Sequence, residues 1–105
     1  MSSYDLNDLL TLVATEHAER LNLHSGELPV VHLGGEPHPI EGPKITADNA
    51  EALFRSLATT RQVRELRERG TSEFIYTFHR RMQFRVQAMM EENDQVLLDL
   101  QRLVA

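Results

Sequence analysis

Three arginines, Arg80, Arg81 and Arg85, are the side chains of this sequence best suited to recognition chemistry. A guanidinium group is a planar fork of donors that fits carboxylates and phosphates. Arg80 and Arg81 stand between two alternating stretches, and Arg85 lies inside the second. Residue type alone leaves two uses open: contact with an anionic partner, or plain turn solubility and edge protection.

Other reactive side chains make no constellation. His17, His24, His32, His38 and His79 are scattered along the chain. His32 and His38 flank Gly34-Gly35 and could approach across that turn, yet two ligands fall short of the three or four a zinc ion takes from a protein. His17 continues a helical apolar stripe and reads as a packed or boundary histidine. Glu91, Glu92 and Asp94 form an acidic turn with no evident buried partner, which gives no support for general acid–base work. No cysteine is present, and no serine sits in a nucleophile elbow. A phosphate loop of the Gly-x-x-x-x-Gly-Lys-Ser/Thr type is absent; Gly34-Gly35 runs into Glu36-Pro37. The reading therefore expects no catalytic residue, no metal and no cofactor.

Composition narrows the class. A chain of 105 residues is read as a single domain, 1–105, with stability on the order of 5–10 kcal/mol. The net charge of −5 opposes phosphate backbones, so no nucleic-acid partner is expected. Neither a secretory signal nor an apolar run long enough for a transmembrane helix is visible, and a cytoplasmic location is the default expectation.

The elements that must hold the arginines follow from periodicity. Residues 5–19 read as a helix, capped by Asp5, with Leu6, Leu9, Leu10, Val13 and His17 on one stripe. Leu21 to Leu23 and Pro29 to Leu33 are short strands, and Gly34-Gly35 is a tight turn into an edge strand from Pro37 to Ile40. Thr46 caps a helix to about Leu57, with Leu53, Phe54 and Leu57 inward and Ile45 stapled onto Ala50. Thr60 is taken as the cap of a third helix that ends at Gly70. Its pairs Arg61–Glu65, Arg64–Glu68 and Glu65–Arg69 are expected to add about 0.2–0.5 kcal/mol each.

From Ser72 to Ala88 the period becomes two. Phe74, Tyr76 and Phe78 alternate with Ile75 and Thr77; Met82, Phe84, Val86 and Ala88 alternate with Gln83, Arg85 and Gln87. This predicts a half-buried antiparallel hairpin with Arg85 on its outer face. Gln95 to Leu103 fits a strand or a helix; the preceding Asn93-Asp94 turn favours a strand. The result is an α+β fold, an antiparallel sheet of about six strands with helices on one face. The final strand is a candidate edge, and an exposed edge invites a weak homodimer.

The chain as a whole resembles the N-terminal domain of type IV pilus retraction ATPases (PilT-like) and their type II secretion relatives. Asp5-Leu6-Asn7-Asp8-Leu9-Leu10 is similar to the family's first helix. Ala18 to Gly26 resembles its Ala-Ser-Asp-Leu-His-Leu-Ser-x-Gly, and Pro29 to Glu36 its Pro-x-x-Arg-x-Asp-Gly strand and turn. Gln83-Phe84-Arg85-Val86-Gln87-Ala88 resembles its Arg-Phe-Arg-Val-Asn-x strand. Glu19-Arg20, Asn22, Gly34-Gly35 and Gln83 depart from those patterns.

The resemblance implies a PAS-like fold that, in the family, packs on a RecA-like ATPase core and brings arginines to nucleotide phosphates. Arg85 matches the arginine of the Arg-Val motif and is the residue carried over for that role. The core's phosphate loop and acidic boxes are not in these residues. A non-catalytic interaction or regulatory module of pilus, twitching-motility or secretion machinery is thus implied. Its implied partner is a pilus or secretion ATPase or another machine component. Two rivals remain at this point: a PAS-like small-molecule sensor, and an acidic secretion chaperone.

Overall fold

The computed structural model describes residues 3–103. Helix α1 (Leu6–Thr15) leads into β1 (Arg20–His24), β2 (Val30–Leu33) and β3 (Glu36–Pro39). Helices α2 (Ala47–Leu57) and α3 (Thr60–Arg69) follow, then β4 (Thr71–Phe78), β5 (Met82–Met90) and β6 (Val96–Leu103). The six strands form one antiparallel sheet in the order β3-β2-β1-β6-β5-β4. The expected α+β architecture, an antiparallel sheet of six strands with helices packed on one face, is what the chain adopts.

Alternation along each strand sends one set of side chains under the helices. Leu21, Leu23, Phe84, Val86, Leu98 and Leu100 are fully buried there, against Leu10 and Val13 of α1 and Phe54 of α2. Burying a side chain of this size contributes about 1.5–3 kcal/mol.

The local signals mostly act as read. The Asp5 carboxylate accepts from the Asn7 amide at 3.0 Å, and Leu6, Leu9, Leu10 and Val13 are the buried stripe of α1. Thr46 caps α2 by accepting from the Asn49 amide at 3.0 Å. Gly70 closes α3 at φ +81°, where a side chain would be strained. The Gly34-Gly35 turn joins β2 to β3 with Leu33 opposite Glu36.

Four expectations need correction. Helix α1 stops at Thr15 rather than near residue 19; His17 sits at φ +56°, exposed, and leaves the stripe. The cap of α3 is Thr59, not Thr60. Thr59 Oγ1 accepts from the Gln62 amide at 3.3 Å, and the Gln62 side chain accepts from the Thr59 amide at 2.8 Å. Only Thr59 has a glutamine three residues on; from Thr60 that position is Val63, which cannot reciprocate.

The charge ladder within α3 does not form. Glu65 instead accepts from Ser72 Oγ at 3.0 Å. Arg67 reaches across to Glu51 of α2 at 3.3 Å, where Arg55 also binds at 3.0 Å. Hydrogen bonding from Arg55, with a smaller contribution from Arg67, holds the Glu51 carboxyl below its ordinary value against the opposing effect of burial.

The fourth correction concerns the sheet. Strand β6 lies at its centre, between β1 and β5, so it is not an edge. The edges are β3 and β4.

Candidate functional site

The face of the sheet away from the helices carries side chains in rows set by register. One row crosses five strands as His32, Arg20, Gln101, Arg85 and Ile75. The next runs Val30, Asn22, Asp99, Gln87 and Glu73. A third, shorter row holds His24, Leu97, Met89 and Thr71.

The middle of this face is tied by polar contacts. Asp99 Oδ1 accepts from Asn22 Nδ2 at 2.8 Å and pairs with Arg20 Nε at 3.3 Å. Asn22 Oδ1 lies 2.7 Å from His32 Nε2, and because that oxygen only accepts, the imidazole donates through Nε2. Gln87 donates to Glu73 at 2.7 Å. The network holds Arg20 to the sheet and leaves Arg85 out: among the described residues the arginine–carboxylate pairs are Arg20–Asp99, Arg55–Glu51 and Arg67–Glu51.

Arg85 therefore stands on the open face as expected, exposed, between Gln101 and Ile75. Arg80 and Arg81 occupy the tip of the β4–β5 hairpin, also exposed. The tip turns through His79 at φ +51° and Arg80 at φ +60°, and the Arg81 amide donates to the Phe78 carbonyl at 3.2 Å. His79 packs edge-on against the Phe78 ring with centroids 4.1 Å apart.

The structure does not merge the three arginines into one cluster. Arg80 and Arg81 line a hollow of about 510 Å³ with His17, Glu19, Thr77 and Arg102. Arg102 also lines a neighbouring hollow of about 470 Å³ with Arg20, His32 and Gln101. Arg85 lines neither and sits on the flat face. Arg20 and Arg102 are thus the cations that the sequence reading missed. They join this end of the sheet because β6 runs beside β1 and the Arg102 amide donates to the Glu19 carbonyl at 2.9 Å. The signal was the strand order, which periodicity does not encode.

The histidine expectation fails on register. Val31 pairs with His38 and His32 with Pro37, so the two imidazoles project from opposite faces of the hairpin. Among the described residues no group of three or more His, Cys, Asp or Glu side chains is arranged to hold a metal ion. The acidic turn gains a contact that was not foreseen: Glu91 meets His24 Nε2. Among those residues, too, no helix is long and apolar enough to cross a membrane.

No family model matches the sequence, and no curated protein matches it. Solved structures match the fold across almost the whole chain. The pilus retraction motor PilT with bound ADP superposes with a TM-score of 0.86 at 20% identity, over 98% of this chain and 30% of that one. The ATPase DotB of Legionella pneumophila gives 0.82 at 15% identity, over 100% of this chain and 31% of that one. DotB of Yersinia pseudotuberculosis gives 0.80 at 10% identity, over 99% and 32%. The chain spans about three tenths of the length of each of these ATPases. The resemblance read from the motifs is therefore present in the fold, and identities this low carry the fold alone.

Proposed function

We propose that this domain is a non-catalytic interaction module of a type IV pilus, twitching-motility or secretion machine. Its basic end and open sheet face contact anionic groups, carboxylates or phosphates, on a protein component of that machine. The observation that carries the reading is one of coverage. Nearly the entire chain takes the fold of about 30% of a pilus motor, while its residues hold no phosphate loop.

Electrostatics supports the choice of surface. Against a net charge of −5, Arg80, Arg81, Arg85 and Arg102 are cations whose charge is not used by any ion pair among the described residues. A local positive region on an acidic protein directs encounter and sets orientation more than it sets total affinity. Arg85 is additionally held by rigid strands on both sides, which lowers the ordering cost of a contact.

The test is binding of the purified full chain to a pilus or secretion ATPase from the same source, with nucleotide turnover measured in parallel. Binding that weakens at least about tenfold in the Arg80→Ala/Arg81→Ala/Arg85→Ala variant is expected, a loss of about 1.4 kcal/mol. Turnover of ATP by the chain alone, or binding indifferent to all three substitutions, overturns the reading.

A further inference from the structure

Strand β4 is bonded on one side only, to β5, and presents its other side as an open edge. Native sheets blunt such edges with proline, lysine, bulges or short strands. The opposite edge does so: β3 has four residues, all exposed, and carries Pro37 and Pro39. Strand β4 does none of this. Its eight residues, Thr-Ser-Glu-Phe-Ile-Tyr-Thr-Phe, hold no proline and a single charge, Glu73. In their midst Ile75 is 52% exposed, one of the two large apolar side chains so exposed among the described residues.

The order of side chains along β4 points to its occupant. We infer that this edge pairs antiparallel with the β4 edge of a second copy of the chain, about a two-fold axis through Ile75. In that register Ile75 faces Ile75 of the second copy, Phe74 faces its Tyr76, Glu73 its Thr77, and Ser72 its Phe78. Directly opposed side chains in antiparallel strands interact most; the central pairs Ile75–Ile75 and Phe74–Tyr76 are apolar or aromatic, Glu73 meets an uncharged Thr77, Ser72 meets Phe78, and no like charges face. Moving the axis to residue 73 would set Glu73 against its own copy, and moving it to residue 77 would leave most of the strand unpaired.

The pairing joins two six-stranded sheets into one and keeps both sets of helices on the same face. Backbone pairing over this length provides on the order of eight hydrogen bonds. Phe74 and Tyr76, only partly buried at the edge, extend the apolar contact beneath the ladder. Two copies at −5 each repel, so the wild-type dimer tightens as salt rises.

The experiment is sedimentation of the full chain from about 1 to 300 μM, the range that resolves a micromolar dimer. The wild type is expected to pass from monomer to dimer, while Ile75→Lys and Ile75→Glu each stay monomeric; at the dilute end, where the wild type is also monomeric, their melting curves match its own, since position 75 lies outside the core. Mixing the two variants restores a dimer, because position 75 meets only position 75; that mixed dimer weakens with salt, opposite to the wild type. Met89→Lys, on the open face away from the edge, leaves dimerisation intact. A monomeric wild type throughout, substituted chains that dimerise like the wild type, or a Lys and Glu mixture that stays apart overturns the inference.

Discussion

The same strands build both faces of this sheet, and the faces obey different rules. Under the helices, Leu21, Leu23, Phe84, Val86, Leu98 and Leu100 are excluded from water and leave no room for polarity. One residue over on each strand stand Arg20, Asn22, Arg85, Gln87, Asp99 and Gln101, tied by hydrogen bonds or left free. The difference teaches how one sheet separates the residues that stabilise it from the residues it presents to solvent. A period of two lets one strand serve both, because a change on one face scarcely reaches the other.

The contrast is sharpest for substitutions at neighbouring positions of β5. Phe84→Ala removes a side chain with no exposed surface and is expected to cost about 3–5 kcal/mol, read as a lower denaturation midpoint at an unchanged slope. Arg85→Ala, the next residue but on the open face, is expected to stay within about 0.5 kcal/mol of the wild type while weakening partner binding. A large stability loss in Arg85→Ala would break the separation.

Between these limits lies the polar network. Asp99→Ala leaves Asn22 and Arg20 without their shared acceptor and is expected to cost about 1–2 kcal/mol by chemical denaturation. The hairpin tip should respond in the opposite direction. Arg80 holds φ +60° without being glycine, so Arg80→Gly relieves left-handed strain and is expected to stabilise by about 0.5–1 kcal/mol while reducing binding.

The smallest effect is at Glu51. Its carboxyl titrates below its ordinary value in the folded chain, so its contribution is present above the unfolded carboxyl's pKa and disappears as pH falls through the folded one. Glu51→Gln should flatten the loss of stability between about pH 7 and pH 3 by under about 1 kcal/mol, the range for an exposed pair.

Much of the fold was legible because local chemistry and tertiary packing agree. The β4–β5 hairpin, the capped α2, Gly70 and the proline-bearing edge all follow from residue order. Two errors were themselves legible in the chain. The glutamine at position 62 marks Thr59 as the cap, and a two-residue turn fixes His32 and His38 on opposite faces.

The rest was not local. That β6 inserts between β1 and β5 depends on which arrangement buries the most apolar surface, and no pattern within β6 states it. This single fact moves the free edge to β4, brings Arg102 beside the hairpin tip, and sets Arg20 and Arg85 in one row of the flat face with Gln101 between them.

The central claim is that the arginines outside the core serve binding and not folding. It is tested most directly by titrating the wild-type chain and its Arg80→Ala/Arg81→Ala/Arg85→Ala variant against a pilus or secretion ATPase, with melting curves recorded on the same samples. Unchanged melting with at least about tenfold weaker binding is predicted. Equal binding by the two chains, or a variant that binds weakly only because it has unfolded, contradicts the account.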